Sequence, residues 1–383
     1  MPGTIGARHE KEGTPQKRFY MNIAIDIRST LKNRTGIGTY TFGLVNALAG
    51  IDRENRYILY SYIRLFDIKR KLWPLPGKNF SHRVDRFSFS PERAIPEADI
   101  LHTSSYDMPA SGSYRLFTTV HDLVPLIFPE GYSDDYLMGL EGDLKRVFAE
   151  SSVIFADSVN TKNDIEKRFP GKSRRIEVVY PGRDRSFKVL DKNVALKVLS
   201  VKYGIKDRFL LYAGGMDPRK NIQRLLEAFS VLKKRDRVMQ KMVIVGKAGR
   251  SADLVLEKVK ELGLENDVVF TGYVPEAYLN YFYSASDCFV YPSLYEGFGF
   301  PIIEAFASGV PVVASSASSC GEIASNAAII VDPYDIEDMA RAIREIITSK
   351  ELSSELIAKG EERAGQFSWE VSARRVLELF RGN

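Results

Sequence analysis

Short apolar runs alternate with longer amphipathic stretches along most of the chain. Residues 22–27 form the first apolar run, and residues 39–49 then place apolar side chains at helical spacing. Four further short apolar runs, each bounded by polar or turn residues, follow at 57–62, 100–102, 116–120 and 153–156. Strands that alternate with helices in this way predict a parallel sheet with helices on both faces.

The same pattern restarts after residue 206. The predicted strands of this second half lie at 209–213, 242–245, 268–270, 288–291, 310–314 and 328–331. The predicted helices lie at 221–234, 252–262, 301–307 and 336–349. We therefore expect an α/β protein with two doubly wound, Rossmann-like domains, joined by a hinge near 181–206 and facing a cleft where ligands bind.

The two ends of the chain differ from this pattern. Residues 1–20 are polar and without periodicity, which predicts a flexible tail before domains at 21–185 and 186–366. The last segment, 367–383, contains an amphipathic helix that begins after Ser368 and has Trp369 and Phe380 on one face. Two interpretations stay open for this helix: it crosses back to the N-terminal domain, or it caps the second domain.

Composition and charge limit the class of protein. The chain has 383 residues, 44% hydrophobic and 27% charged, with two Cys, which is typical of a globular protein without a disulfide framework. It has no uninterrupted apolar run of about 18 residues and no secretory signal, so we expect a cytoplasmic protein. Residues 1–190 carry 29 Lys and Arg against 23 Asp and Glu, and the remainder 25 against 26. Three interpretations of this basic half stay open: peripheral contact with the anionic inner face of a membrane, contact with an anionic substrate, or a merely solvated surface.

Residues 293–311, SLYEGFGFPIIEAFASGVP, carry the densest candidate chemistry. Glu296 lies in a glycine-rich loop after a predicted strand, and Glu304 lies eight residues later in the first turns of a predicted helix. Gly297 and Gly299 allow close approach of the backbone to a ligand, and a loop followed by a helix N-terminus favours anions. Taken singly, Glu304 is better explained as a helix cap and Glu296 as a solvated loop acid.

The order of motifs along residues 21–380 changes that balance. These motifs are NIAIDIRST, RTGIGTY, DILHTSSYDMP, TTVHDLVPLIFPE, FLLYAGGMDPRKNIQRLLEAF, EGFGFPIIE, GEIASNAAIIVDPYD and FSWE. Together they resemble retaining glycosyltransferases of family 4 (group 1), which have the two-domain GT-B fold. The RTGIGTY, VHDLVP and PRKN variants are similar to those of bacterial mannosyltransferases of surface polysaccharide assembly.

The resemblance implies roles for the EGFGFPIIE segment. Glu304 is expected to accept hydrogen bonds from the ribose hydroxyls of a nucleotide, as a carboxylate can. Glu296 and the backbone at Gly297, Phe298 and Gly299 are expected to contact the donor sugar.

The resemblance also assigns the glycine turn of the second domain to the donor. Gly214 and Gly215 would lie beside the donor, and Lys220 and Arg219 would neutralise its diphosphate as charge develops on the leaving group. Many family members have Arg where this chain has Gly215, so Lys220 is the stronger candidate. Arg219 either supplies the second charge or is structural.

The N-terminal domain contributes a second set of expected site residues. His121, in VHDLVP, is expected at the cleft near the donor sugar, with Asp122 orienting it and contributing to the acceptor site. His102 has an acceptor-binding and a structural interpretation. Gly36 and Gly38 would let backbone amides approach the donor, but GIGTY lacks the full spacing of a dinucleotide-binding loop.

These features together predict hexose transfer from a nucleotide-sugar donor to a glycan or lipid-linked sugar acceptor. GDP-mannose is the expected donor and a UDP-hexose the alternative. No D-x-D triplet, P-loop or His/Cys cluster occurs, so neither a metal nor another cofactor is expected, and no nucleic-acid partner. Other functions weighed are a nucleotide-sugar epimerase, a non-catalytic nucleotide-sugar-binding module and an NAD oxidoreductase.

Overall fold

The computed structural model describes residues 21–31, 36–63, 72–86, 91–104, 106, 112–171 and 175–382. The predicted tail, residues 1–20, lies outside the described residues. Within the described part of the chain, two separate parallel sheets form, as the alternating pattern predicted.

The first sheet belongs to the N-terminal half. Its strands are β1 (Asn22–Asp26), β2 (Arg56–Tyr62), β3 (Phe80–Asp85), β4 (Ile100–Thr103), β5 (Arg115–Val120), β6 (Val153–Ala156) and β7 (Arg175–Val178). They lie in the order β3-β2-β1-β4-β5-β6-β7, and all neighbours are parallel. Strands β4 and β6 are buried along their whole length because helices cover both faces of the sheet.

The second sheet belongs to the C-terminal half. Its strands are β8 (Phe209–Ala213), β9 (Lys241–Val245), β10 (Val268–Gly272), β11 (Cys288–Tyr291), β12 (Val312–Ser315) and β13 (Ile329–Val331). They lie in the order β10-β9-β8-β11-β12-β13, again all parallel. The chain reverses its direction of winding beside β1 in the first sheet and beside β8 in the second, and ligands of such sheets bind at these switch points.

Fourteen helices are present among the described residues. They are α1 (Gly36–Ile51), α2 (Pro91–Ala94), α3 (Val124–Ile127), α4 (Asp134–Glu150), α5 (Val159–Arg168), α6 (Lys192–Tyr203), α7 (Ile222–Lys234), α8 (Ala252–Leu262), α9 (Glu276–Ala285), α10 (Phe300–Ala307), α11 (Ser318–Ala324), α12 (Ile336–Thr348), α13 (Lys350–Gly365) and α14 (Trp369–Arg381). Helix α6 occupies part of the predicted hinge, where its Ala195 and Leu199 join the core of the C-terminal domain. The segment that connects the two sheets is therefore more ordered than its polar sequence indicated.

Helix α14 follows the C-terminal domain in sequence but packs on the N-terminal domain. Its Val376 and Phe380 belong to the same buried cluster as residues of α1 and β5. Trp369 lies against Gly43 of α1, where an added Cβ would come within 2.3 Å of the indole ring. Of the two interpretations that the sequence left open, the structure has the crossing of α14 to the first domain.

Candidate active site

A cleft of about 490 Å³ lies between the carboxyl ends of the two sheets. Eleven of the fourteen predicted site residues line it: Gly36, His121, Asp122, Gly214, Arg219, Lys220, Glu296, Gly297, Phe298, Gly299 and Glu304. Six further lining residues were not predicted: Ile37, Thr39, Asp157, Tyr291, Phe300 and Pro301. The structure thus brings motifs from both halves of the chain to one place.

Two cations and one carboxylate form the charged centre of this cleft. Lys220 Nζ lies 2.5 Å from Glu296 Oε1, and Arg219 Nη1 lies 2.9 Å from Glu296 Oε2. Both cations come from a 3₁₀ turn, Pro218–Lys220, that Asp217 caps through the Arg219 N–H. Lys220 also donates to the Tyr291 hydroxyl, and Arg219 donates to the Tyr295 carbonyl. The cationic turn is therefore held against the loop that follows β11.

The charges of this centre stabilise one another despite burial. Burial alone would raise the pKa of Glu296, but Lys220 and Arg219 lower it to about 2. Burial lowers the pKa of Lys220, and the neighbouring Arg219 acts in the same direction against the attraction of Glu296. The Glu296 carboxylate accepts two more hydrogen bonds, from Ser293 at 2.6 Å and Tyr291 at 2.9 Å. An ionised Glu296 is thus fully bonded in the cleft.

The glycine loop of the second domain, residues 296–299, contacts the first domain. A Cβ at Gly297 would lie 2.0 Å from the His121 carbonyl oxygen, so only glycine permits this approach. The Gly297 carbonyl accepts from Ser158 Oγ at 2.6 Å and from Thr161 Oγ1 at 3.1 Å, both at the start of α5. Gly299, with φ of 104°, then turns the chain into α10. The cleft is closed at this point by direct hydrogen bonds between the domains.

His121 directly follows β5 and lines the cleft from the N-terminal domain. Its Nδ1–H donates to Asp157 Oδ2 at 2.6 Å, since a carboxylate can only accept. Asp122, which was predicted to orient the ring, instead accepts from the Val124 N–H at 3.0 Å, at the first residue of α3. The partner of His121 is therefore a residue from the neighbouring strand and not the next residue in sequence.

Glu304 lies on α10, eight residues beyond Glu296, and its Oε2 accepts from the Tyr283 hydroxyl at 2.9 Å. Burial, with the nearby carboxylates Glu276 and Asp184, raises its pKa to about 7. Glu304 also lines a second cavity, of about 400 Å³, together with Glu276 and Asp184. The surroundings of these two glutamates therefore shift their pKa values in opposite directions, downward for Glu296 and upward for Glu304.

Three predicted site residues do not line the cleft. Gly38 is buried inside α1, and Gly215 is an exposed residue of the turn after β8. His102 is 2% exposed and its Nε2 is bonded to Thr119 Oγ1 at 2.8 Å, beside the rings of Phe155 and Phe380. The structure therefore places His102 in the core of the first domain, which agrees with its structural interpretation and not with acceptor contact.

Serine residues of α11 support the glycine loop and were missed from the sequence. Ser318 Oγ accepts from the Glu296 N–H at 2.9 Å, and Ser319 Oγ donates to the Glu296 and Phe298 carbonyls at 2.8 and 2.9 Å. They lie about twenty residues beyond the loop, and their small polar side chains carry no distinctive motif. Only the fold brings them beneath the loop.

Two family models match the chain in succession. "Glycosyltransferase Family 4" covers residues 34–187, and "Glycosyl transferases group 1" covers residues 199–363. The O-antigen chain mannosyltransferase B of Escherichia coli is 31% identical over 268 residues, which is 70% of either chain. The serotype-specific mannosyltransferase WbdA of Escherichia coli is 28% identical over 73% of this chain, and the match spans about a third (35%) of that longer protein.

Solved structures share the same architecture. Sucrose-phosphate synthase from Thermosynechococcus elongatus matches with a TM-score of 0.76 at 20% identity, over 94% of this chain and 98% of its own. WaaG, a glycosyltransferase of lipopolysaccharide biosynthesis, matches with a TM-score of 0.68 at 17% identity, over 94% and 100%. The two facing sheets and the interdomain cleft define a GT-B protein, as expected. The chain belongs to the family 4 (group 1) glycosyltransferases.

The described residues contain neither a membrane-spanning helix nor a cluster of metal ligands. No helix in the described ranges combines the length and apolar character that crossing a bilayer requires. Across the same residues, no three His, Cys, Asp or Glu side chains converge on a point that could hold a metal ion.

Proposed function

We propose that this glycosyltransferase moves mannose from GDP-mannose to a hydroxyl group of a glycan or lipid-linked sugar, without a metal and with retention at the anomeric carbon. One observation carries the proposal: Lys220 and Arg219 lie together in the closed cleft, bound to Glu296. Two cations at this distance from a carboxylate suit a diphosphate leaving group, whose oxygens accept the same kinds of hydrogen bond.

Lys220 and Arg219 supply the charge stabilisation of the transfer step. As the bond between the sugar and the diphosphate breaks, negative charge grows on the leaving oxygen, and fixed cations lower the energy of that state. Their present partner, Glu296, keeps them oriented in the cleft. This role replaces the metal ion that many nucleotide-dependent enzymes use, which supports metal independence.

The state of Glu296 supports direct transfer over a covalent intermediate. A carboxylate nucleophile needs a free lone pair and a moderately basic oxygen. The Glu296 carboxylate is bonded to four side chains: Lys220, Arg219, Tyr291 and Ser293. The two cations outweigh the effect of burial and lower the pKa of Glu296 to about 2. We therefore assign Glu296 to holding sugar hydroxyls and infer that the acceptor attacks from the face that the diphosphate leaves.

The donor assignment rests on relatives and on one cavity. The matched Escherichia coli proteins are named mannosyltransferases, which supports mannose. Beside Glu304, proposed to bind ribose, the second cavity is lined by the carboxylates of Glu276 and Asp184. Carboxylates accept hydrogen bonds, and guanine presents both a ring N–H and an amino group on one edge, whereas uracil presents a single N–H. This lining supports GDP over UDP.

The acceptor is proposed from the same relatives, since O-antigen chains are glycans. Contact with a membrane surface would follow if the acceptor were lipid-linked, and the excess of basic residues in positions 1–190 supports such contact.

Calorimetric titration with GDP, UDP, ADP and their hexose conjugates, with and without EDTA, tests the donor and the metal. Binding of GDP-mannose that EDTA leaves unchanged is the expected result. Selective UDP binding would replace mannose by a UDP-linked hexose. Transfer to oligosaccharide acceptors, followed by NMR of the anomeric proton, then tests retention; binding without transfer or hydrolysis would indicate a nucleotide-sugar-binding module.

A further inference from the structure

The register of the first sheet places two functional side chains next to each other. Strands β5 and β6 are parallel neighbours in which Val120 pairs with Ala156. His121 and Asp157 directly follow these residues, so both leave the carboxyl edge of the sheet at the same level. The register of the sheet therefore brings the two side chains within 2.6 Å of each other, and the sheet holds them rigidly.

Each member of this pair has one polar atom that finds no partner among the described residues. Asp157 is 2% exposed and His121 is 9% exposed, and both line the cleft. Nε2 of His121 and Oδ1 of Asp157 are buried and make no hydrogen bond to the described residues. Unsatisfied buried polar atoms are costly, and in a cleft they indicate a place that a ligand or a domain movement completes.

A comparison with His102, which is also buried, shows how the Asp157 carboxylate changes the pKa of His121. Burial disfavours a charged imidazole in both residues, and it lowers the pKa of His102, which has His121 as a charged neighbour, to about 3. At His121 the same burial is outweighed by Asp157 and, more weakly, by Asp122, so the pKa is raised.

Two buried tyrosines near His121 do not supply that charge. Tyr40 of α1 presents its ring edge at 4.8 Å, and the Tyr106 hydroxyl reaches the Asp122 carbonyl. The pKa of each phenol is raised by burial, so both stay neutral at physiological pH.

We propose that Asp157 is the positioning residue of His121: its carboxylate holds the Nδ1–H and so directs Nε2 toward a hydroxyl group of the bound sugar donor. The proposal rests on the proposed function for the identity of that donor. Asp157 acts through the imidazole and is not itself assigned a contact with the substrate. Since Nε2 is buried while the domains are closed, the donor reaches it when the cleft opens to admit ligand.

The first test measures the imidazole directly. The chain has four histidines, and the His121→Gln variant identifies the His121 signals in ¹⁵N-detected imidazole spectra. In the wild type we expect Nδ1 to carry a proton and His121 to titrate above the ordinary histidine value of about 6.5. In Asp157→Asn, His121 should titrate at lower pH. A wild-type His121 that titrates below the ordinary value would overturn the proposal even if the variant does not fold.

The second test separates positioning from structure. Asp157→Asn should lower kcat with GDP-mannose by about 10-fold or more, while the dissociation constant of GDP changes less than about 2-fold. In a double-mutant cycle, Asp157→Asn should cost nothing further in the His121→Gln background, because its effect passes through the ring. A full additional loss in that background contradicts the proposal.

These measurements separate a failure of the proposed transfer function from a failure of the positioning role of Asp157. A wild type that turns over no GDP-mannose or UDP-hexose refutes the proposed function, and the NMR titration then still decides whether Asp157 governs His121. An active wild type with an Asp157→Asn variant that matches it in kcat refutes the positioning role alone. A variant whose kcat falls while the His121 titration is unchanged also refutes it, since the loss would then be structural.

Discussion

At the scale of single residues, the cleft holds two glutamates with opposite properties. Glu296 is ionised because two cations surround it, whereas Glu304 has a tyrosine hydroxyl and two carboxylates as neighbours. Their eight-residue spacing in the sequence gives no sign of this difference. It follows from which elements each side chain meets after folding.

Lys220→Ala should abolish most of the transfer activity. It removes a cation aimed at the leaving group, and losses of such groups cost about 10²- to 10³-fold in kcat. Steady-state kinetics with GDP-mannose measure the effect, and circular dichroism checks the fold. Lys359→Ala is the matched control, since Lys359 pairs with Glu355 on the surface of α13, away from the cleft. Near-normal turnover of Lys220→Ala would refute the diphosphate assignment.

Glu304→Gln should weaken nucleotide binding and change how stability depends on pH. Because the pKa of Glu304 rises from 4.5 to about 7, the native state keeps a proton that the unfolded chain releases, and stability falls as pH rises through this window. Glutamine cannot ionise, so the variant should gain about 1–3 kcal/mol relative to the wild type between pH 5 and pH 8.

Urea unfolding at both pH values, with GDP titration at pH 7, measures these effects. If the free energies of unfolding of Glu304→Gln and the wild type change equally with pH, the pKa of the Glu304 carboxyl group is not raised in the native state. An unchanged dissociation constant for GDP would remove its proposed ribose contact.

At the scale of elements, helix α5 of one domain is capped by a residue of the other. Glu322, on α11, accepts from the Val159 N–H at 2.9 Å and the Asn160 N–H at 3.0 Å. These N–H groups belong to the first turn of α5, where no intrahelical partner exists and negative charge is favourable. Tyr180, between the two sheets, donates to the same carboxylate at 2.7 Å. Closure of the cleft thus satisfies the end of a helix.

Glu322→Gln should favour an open arrangement of the domains. The amide keeps the size of the side chain but loses its charge and one acceptor oxygen, so the three hydrogen bonds that the carboxylate accepts weaken. We expect a larger radius of gyration by small-angle X-ray scattering and a GDP-mannose affinity about 5-fold lower, equivalent to about 1 kcal/mol. Glu362→Gln, at an exposed position of α13, is the control. Identical scattering of both variants would show that Glu322 does not hold the cleft closed.

Much of the element order was predictable because most strands are buried on both faces and appear as apolar runs. Strand β6, helix α8 and strand β11 have the predicted bounds, and β12 begins two residues later than expected. Edge strand β3 was not predicted, since only its two terminal residues are buried and its sequence lacks an apolar run.

The site was predictable only as far as local motifs extend. The glycine turn and the EGFGFPIIE segment pointed to Lys220, Arg219 and both glutamates through their resemblance to family motifs. Each of these motifs lies within one loop and the helix that follows it. Asp157 was missed because it meets His121 through the register of the first sheet, and Ser318 because it meets Glu296 through packing within the C-terminal domain. His102 lies within β4, next to its last residue, and His121 directly follows β5; the sequence left the place of His102 open, and the structure puts it in the core.

At the scale of the whole molecule, α14 joins the two domains a second time. Phe380 is fully buried, and its ring meets Phe117 of β5 edge-on at 4.8 Å. The Arg115 side chain donates to the Phe380 carbonyl. The first domain therefore depends on a helix that follows the second domain in sequence.

Phe380→Ala should destabilise the first domain selectively, by about 3–5 kcal/mol, as expected for truncation of a buried aromatic residue. Hydrogen exchange followed by mass spectrometry should show faster exchange in β1 and β5 and unchanged exchange in β8 and β11. Val371→Ala, at a position of the same helix that is 61% exposed, serves as the control. Equal acceleration in both sheets would indicate that the two domains unfold as one unit.

The path of α14 also sets the order in which the molecule is completed during synthesis. Domains of most chains fold as they leave the ribosome, the first before the second. Here α1 and β5 are translated early, but their apolar surface stays uncovered until the whole second domain has emerged and α14 follows it. The domain that is made first is therefore finished last, and through that interval the nascent chain exposes a surface on which chaperones can act.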